Sequence, residues 1–382
     1  MIHFDSILNN TYSLCLLIVF GVAALALALY YGLFYLRVGR WKNPKTPSPD
    51  AIDDQNLPSV SVVMVAHNEG AYLKENLVYL LEQNYPRFEV IVVDYLSTDE
   101  TKFALQVCGD SDPNLKAIPF KEDVNFFTGK KYPLSIGIRS ATNDVILLTE
   151  PDCVPKGFDW IRTMVSGYMH NADMVLGFCG VRQEKGLLNA FLQYDNLTTS
   201  AHAFGCAIMG NPYTGNGRNL SYKRQFFFDR GAFTSHYRQP EGADDIFVNQ
   251  NANRKNTEVV LDDKAFMLSE PRSSFAAWRL MRKARYASKH YYGLDDLASL
   301  AVHPVALLFF YLAGILFALR GLLPLIIFGA AMLLLWTWHI VTFSRVCKRF
   351  GVKWVFWFAP LMEMYFFFAN TIMMTFALLK KK

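Results

Sequence analysis

Charge is scarce in this chain. Asp, Glu, Lys and Arg together make up 19% of the 382 residues, against 52% apolar residues. So little charge with so much apolar content excludes an intrinsically disordered chain, and 23 Gly and 16 Pro are too few for a collagen-like one. The net charge, 38 − 33 = +5, is too small for the basic surface of a nucleic-acid binder, and no nucleic-acid partner is expected. Cysteine is sparse too. Cys15, Cys108, Cys153, Cys179, Cys206 and Cys347 form no CxxC pair or other metal-ligand spacing, and read as free thiols in a reducing compartment. Internal repeats and low-complexity tracts are absent. Aromatic residues, by contrast, reach 15%, with 31 Phe, which argues against a purely soluble enzyme. The length accommodates roughly two globular domains, or one large domain plus membrane helices.

The apolar residues concentrate at the two ends. Beyond an N-terminal tail (1–11), residues 12–36 form an uncharged Leu/Ala/Val-rich run, long enough to span a hydrocarbon core of about 30 Å. A signal peptide is the competing reading. It would have a shorter apolar region, basic residues before it and a cleavage site after it, whereas here Arg37, Arg40, Lys42 and Lys45 follow the run. An uncleaved anchor is therefore expected, with the N-terminus outside and the chain after residue 37 in the cytoplasm. Three more apolar stretches cover 300–319, 322–343 and 354–379. Only Arg320-Gly321 separates the first two, which predicts a tight helical hairpin, and Arg345, Lys348, Arg349 and Lys353 then mark a cytoplasmic loop. The last stretch contains Pro360 and Glu363 and ends in Lys380-Lys381-Lys382, so it reads as a span, a re-entrant segment or an interfacial helix. Glu363 is either a functional charge within the membrane or a helix-end carboxylate near its surface.

Residues 37–57, rich in Pro, Asp and Ser from Asn43 on, read as a linker, and 58–270 as a soluble domain. Within that domain Ser59–Ala66, Phe88–Val93, Leu115–Ile118 and Asp144–Thr149 are β-branched or apolar runs that predict buried strands. Between them, Glu69–Asn84, Thr98–Val107 and Gly129–Ala141 predict helices. This alternation implies βαβ units and a mainly parallel α/β sheet, which binds ligands beyond the carboxyl ends of its strands.

Acidic clusters fall at those ends. Asp94, after the second strand, suits a nucleobase or ribose, although a plain strand-to-helix turn capped by Ser97 or Thr98 explains the same residues. Glu150-Pro151-Asp152 can hold a hard divalent cation against a diphosphate, or be a polar loop with an N-cap. Lys130 and Lys131 can meet phosphate or simply begin a solvated helix. Glu241, Asp244 and Asp245 can supply a general base or cap the helix that follows. Residues 271–292 form a basic amphipathic helix. Phe275, Trp278 and Met281 are expected on one side and Arg279, Arg282, Lys283 and Tyr286 on the other, a pattern that also suits the lipid headgroup region.

Taken in order, these pieces resemble a family 2 glycosyltransferase of GT-A fold, of the membrane-anchored bacterial type, from about Pro58 to Tyr292. Ala66-His67-Asn68-Glu69 is similar to the family's opening strand and acidic turn. Asp94 stands where members contact the nucleotide, with Tyr95 in place of a second Asp. Gly129-Lys130-Lys131 matches the basic segment near the donor. Glu150-Pro151-Asp152 resembles the DxD motif, with Glu for the first Asp. Gly217-Arg218-Asn219 resembles the segment that closes over donor and acceptor, Asp244-Asp245 the acidic motif that supplies the base, and Arg282-Lys283-Ala284-Arg285-Tyr286 the (Q/R)xxRW motif, with Tyr for Trp.

The resemblance implies an inverting, Mg²⁺- or Mn²⁺-dependent transferase using a nucleotide sugar, a UDP-sugar first. Its site residues would be Glu150 and Asp152 on the metal, His67, Glu69, Asp94, Lys130, Lys131, Arg218, Asn219, Arg282, Arg285 and Tyr286 on the donor, and Asp244 or Asp245 as base. A lipid or lipid-linked acceptor is expected at the bacterial inner membrane, with single rather than processive transfer because few helices follow the domain. A processive synthase, or a non-catalytic domain that binds nucleotide sugar, are the alternatives. The sequons at Asn196 and Asn219 lie in the cytoplasmic domain and are expected to be unmodified.

Overall fold

The structure is a computed structural model that describes residues 11–43, 54–120 and 129–379, with side chains through Asn370. The middle of the linker (44–53), the first ten residues and the terminal lysines lie outside the described residues. The chain divides into two compact units, Trp41–Tyr292 and the segments up to and including Arg40 and from Gly293 on.

The Trp41–Tyr292 unit is built on a seven-stranded sheet. Its strands are β1 (Val60–Ala66), β2 (Phe88–Asp94), β3 (Leu115–Pro119), β4 (Val145–Leu148), β6 (Met174–Gly177), β8 (Leu220–Lys223) and β9 (Thr257–Val260), in the spatial order β3-β2-β1-β4-β8-β6-β9. The β3-β2-β1-β4 half is parallel, as the alternation predicted. β8 then runs antiparallel to both β4 and β6, and β9 is parallel to β6. A second sheet is made of three short strands, β5 (Cys153–Pro155), β10 (Met267–Ser269) and β7 (Cys179–Val181), in the order β5-β10-β7.

Helices cover both faces of the parallel half, which is why its strands read as continuous apolar runs. Val60, Val62, Met64, Val90, Val92 and Leu147 pack on one side with Leu73, Leu77 and Leu80 of helix Gly70–Leu81 and Ala104 and Leu105 of helix Thr101–Ser111. On the other side the Lys131–Ser140 helix comes so close that a Cβ on Gly137 would lie 2.7 Å from a Val63 methyl. Each such fully buried Val or Leu contributes about 1.5–3 kcal/mol.

The strand order changes direction around β1, so the carboxyl ends of β1, β2 and β4 open on the crevice where such sheets bind ligands. The Phe275–Ser288 helix belongs to this same unit. Its faces are not divided as the sequence pattern suggested. Arg282 is buried together with Trp278, because positions four apart share a helix face.

Among the described residues of the other unit, three helices are long and apolar enough to cross a membrane: Thr11–Gly39, Leu294–Ala318 and Leu322–Phe350. The third runs through Arg345, Lys348 and Arg349, where the sequence pattern predicted a loop, and stops at the left-handed Gly351 (φ 72°). A fourth helix, Ala359–Leu379, follows a 3₁₀ turn at Val355–Phe358. Phe20 stacks on Phe310 at 5.2 Å and meets Phe328 edge-on, while Val22, Leu25 and Leu334 face outward. An outer surface of this kind suits lipid better than water.

Inside this unit the first helix loosens into a π turn at Tyr31–Leu36. There the Tyr31 hydroxyl and His303 Nε2 both reach the buried Glu363 carboxylate, and the His339 ring stacks on Tyr31 at 4.4 Å. Glu363 is therefore an interior group held by three helices, not a helix-end carboxylate at the surface.

Candidate active site

The loops after β1 and β2 clasp one another. His67 Nδ1 lies 2.7 Å from the Tyr95 carbonyl oxygen, the Asn68 amide donates to Ser97 Oγ, and Asn68 Oδ1 accepts from the Thr98 amide. Asp99 accepts from the Gly70 and Thr101 amides and so serves the starts of two helices. Ser97 and Thr98 thus join the two loops, and Asp99 performs the helix-start role the sequence reading gave them. Asp94 ends β2, buried, and accepts from the Ser97 amide at 3.4 Å. Leu96 between them adopts a positive φ of 57°, a conformation that a tight turn imposes on a residue not suited to it.

Glu69, Glu150 and Asp152 converge beyond β1 and β4. Burial, reinforced by the nearby charges of Asp152 and Glu150, pushes the Glu69 pKa up to about 7. Arg218 spans the other two acids, with Nε 2.6 Å from Glu150 Oε2 and Nη2 2.8 Å from Asp152 Oδ2. Lys130 Nζ takes Glu150 Oε1 at 2.6 Å. Burial alone would raise the Glu150 pKa, but Lys130 and Arg218 hold it far below the usual carboxylate range.

Asp244 and Asp245 stand at the start of the Asp245–Asn251 helix. Asp244 Oδ2 accepts the Gly217 amide at 2.6 Å, one residue from Arg218. Asp245 Oδ2 accepts from the hydroxyls of Ser288 and Tyr292, and its Oδ1 from the Ile246 amide. Burial and the Asp244 charge raise the Asp245 pKa against these hydrogen bonds. Burial lowers the Arg285 pKa; Asp195 opposes this, while repulsion from Arg282 and Arg218 adds to it. The Tyr286 ring carries the Lys289 ammonium over its face at 4.2 Å and the Arg282 guanidinium at 5.7 Å. Burial, with Arg282 and Arg285 nearby, lowers the Lys289 pKa to about 8.

Three candidates have other partners. Lys131 is buried and donates to the carbonyls of His236, Gln239 and Glu241, at 2.9, 2.6 and 2.5 Å. It ties down the loop that leads to Asp244. Gly129 must be glycine for the same reason: its φ is +112° and a Cβ would lie 2.3 Å from the Pro240 carbonyl oxygen. Asn219 is interior, accepting from Trp160 Nε1 and donating to the carbonyls of Phe178 and Ala265, which also puts its sequon out of reach. Arg282 pairs at 2.7 Å with Asp195, which also accepts from Trp278 Nε1.

The sequence reading passed over Asp195, Ser288 and Tyr292. Asp195 did leave a trace: it is the one acid in the Leu187–Ile208 helix, and a buried carboxylate there requires a cationic partner.

Among the described residues no group of three or more His, Cys, Asp or Glu side chains forms a metal-binding cluster. Glu150 and Asp152 offer two hard oxygen donors, the kind Mg²⁺ and Mn²⁺ share with substrate phosphates. Both acids are paired with Arg218 and Lys130, and they stand close enough to Glu69 to add to the burial that raises its pKa. The two carboxylates would fit a divalent cation that is shared with a substrate phosphate.

Residues 61–202 match the family described as glycosyl transferase family 2. An uncharacterized glycosyltransferase of Haemophilus influenzae is 28% identical over 121 residues, covering 32% of this chain and 36% of the relative. A probable glycosyltransferase of Bacillus subtilis, YdaM, is 27% identical over 173 residues, covering 44% and 39%. The chain thus spans somewhat over a third of the length of these curated relatives. A mannosyltransferase from Pyrobaculum calidifontis, solved in complex with GDP-Man and Mn²⁺, superposes with a TM-score of 0.56 at 23% identity over 88% of this chain and 98% of that one. With the sheet order and the acids at the strand ends, these matches identify the chain as one carrying a family 2 glycosyltransferase domain of GT-A fold, with three helices apolar enough to span a membrane.

Proposed function

We propose that this chain is a membrane-anchored, inverting glycosyltransferase that moves one sugar from a nucleotide-sugar donor to a hydroxyl of a lipid or lipid-linked acceptor. The observation that carries this reading is the gathering of Glu69, Glu150, Asp152, Lys130 and Arg218 at the carboxyl ends of β1 and β4, linked through Gly217 to Asp244. The three apolar helices favour an integral membrane protein, and the bacterial inner membrane, with the domain in the cytoplasm, is the proposed site. A UDP-sugar is the first donor to test, followed by GDP-sugars, because the Pyrobaculum structure holds GDP-Man.

Asp94 and Glu69 orient the nucleotide end of the donor. Asp152 and Glu150 hold Mg²⁺ or Mn²⁺, which when bound supplies charge stabilisation to the departing diphosphate. Lys130 and Arg285 add positive charge on the same side. Asp245 is the better base of the acidic pair, because its raised pKa brings it closer to the pH at which it must accept a proton. Asp244 raises that pKa, and Ser288 and Tyr292 fix the orientation of the carboxylate. The acceptor hydroxyl gives its proton to Asp245 while its oxygen bonds to the anomeric carbon. The bond from that carbon to the diphosphate oxygen breaks, and its electron pair leaves with the nucleoside diphosphate. Attack from the opposite face inverts the anomeric centre.

The test is transfer by the full chain in lipid nanodiscs, with Mn²⁺ or Mg²⁺ and a panel of UDP-, GDP- and dTDP-sugars. Asp152→Ala and Asp245→Ala should each abolish transfer while the protein still folds. Full activity in either variant overturns the assignment. A polymer ladder in place of a single added sugar would make the enzyme processive, and neither transfer nor hydrolysis with any donor would make the domain a binding module.

A further inference from the structure

Every carboxylate oxygen of the two donor-side acids already has a partner. Arg218 takes Glu150 Oε2 and Asp152 Oδ2, Lys130 takes Glu150 Oε1, and Cys153 Sγ donates to Asp152 Oδ1 at 3.3 Å. Two negative charges are matched by two positive ones, in a pocket where Arg218 and Asp152 are largely buried. A cation held by both acids competes with Arg218 for the same two carboxylates. Displacing a partly buried guanidinium without providing it with a new anion is costly. A diphosphate arriving with the cation provides that anion, since guanidinium binds phosphate as well as carboxylate.

The movement required is confined to the side chain. Arg218 sits between two fixed residues: the Gly217 amide is held by Asp244, and the Asn219 amide group is tied to Trp160, Phe178 and Ala265.

We propose that Arg218 is the resident counter-ion of Glu150 and Asp152 and makes divalent-cation binding conditional on a nucleoside diphosphate, moving from the acids to the diphosphate as the two enter together. This rests on the reading that Glu150 and Asp152 hold the cation. Arg218 thereby sets the order of assembly: metal alone loads only weakly, and the guanidinium reaches the leaving group only when metal and donor are both in place. It acts as a positioning residue for the metal and a binding residue for the diphosphate.

The test is Mn²⁺ binding to the full-length chain in nanodiscs, followed by electron paramagnetic resonance of free Mn²⁺. It is run with and without UDP or GDP, and corrected for Mn²⁺–nucleotide complex in solution. The wild type should take up Mn²⁺ weakly alone and about tenfold or more tighter with a nucleoside diphosphate, the scale of one charged hydrogen bond. Arg218→Gln should bind Mn²⁺ alone about tenfold tighter than the wild type and lose most of the nucleotide dependence. Arg218→Lys, which keeps the charge but cannot span both acids, should fall between them and guards against a folding defect in the first variant. Equal Mn²⁺ affinity in wild type and Arg218→Gln, or nucleotide-independent binding by the wild type, overturns the proposal. Glu150→Gln/Asp152→Asn reports on the parent reading separately: if it still takes up Mn²⁺, the acids do not hold the metal and both readings fall.

Discussion

The Tyr31 hydroxyl donates to both oxygens of Glu363, at 2.9 and 2.8 Å, across 332 positions of sequence. This bond and the His303 contact at 2.8 Å join the first, second and last helices of the apolar unit. Glu363→Ala would leave a buried phenol and an imidazole without their acceptor, at about 1–3 kcal/mol each. The variant is expected to melt several degrees below wild type in detergent. Glu363→Gln keeps an acceptor oxygen and should lose less. Equal melting of all three proteins would remove any structural role for this carboxylate.

The Arg282–Asp195 pair offers a separate test in the other unit. Both side chains are buried, and Asp195 also holds Trp278. Asp195→Ala leaves a buried guanidinium without its counter-charge and should cost about 3–5 kcal/mol in chemical denaturation. Asp195→Leu combined with Arg282→Met should recover part of that loss, because no charge remains buried. Failure of the double variant to improve on the single one would show that the pair does more than satisfy itself.

Lys131 anchors the loop that precedes the acidic pair. Lys131→Met leaves three carbonyls of residues 236–241 without their donor. The expected result is a fall in kcat of about tenfold or more with donor KM little changed, as when a group acts through the placement of others. A rise in donor KM with unchanged kcat would mean that Lys131 serves the diphosphate directly.

Glu69 gives stability a pH dependence of known sign. Its carboxyl is raised from the usual 4.5 to about 7 in the folded chain, so the folded state holds the proton more tightly than the unfolded one. The stability this contributes is full below pH 4.5 and is lost as pH rises through 7. Relative to Glu69→Gln, the wild type should therefore melt progressively lower between pH 4.5 and 7 and keep a constant difference above that. A difference that does not vary with pH would mean Glu69 is not perturbed.

How much of this could be read from sequence depended on whether a feature was local. β1, β2 and β4 were legible because strands buried on both faces leave unbroken apolar runs, and Asp94, Glu150 and Asp152 were legible because they sit where such runs stop. β5, β7 and β10 were not, since strands of three residues carry no period. Nor was the antiparallel insertion of β8 between β4 and β6, which is a tertiary choice of partner. The charged residues were the least transparent. Lys130 and Lys131 are adjacent and alike, yet one faces Glu150 and the other three backbone carbonyls. Arg282 and Arg285 lie on one helix, and Arg282 is bound to an acid 87 positions away. A side chain's formal charge says that it needs a partner and not whether that partner is a ligand or the protein itself.

The β4–β8 ladder carries a consequence of its own. Leu148 is paired with Leu220 and Leu147 with Ser221. Glu150 lies two residues beyond Leu148, and Arg218 lies two before Leu220, so the ion pair falls where the ladder's next same-face rung would be. The strand pairing brings the two chain ends together, and the turns that follow, closed by the Asn219 amide on the Asn216 carbonyl and the Cys153 amide on the Glu150 carbonyl, place the two side chains. One residue inserted between Arg218 and Leu220 is expected to move the guanidinium out of line with Glu150 and Asp152.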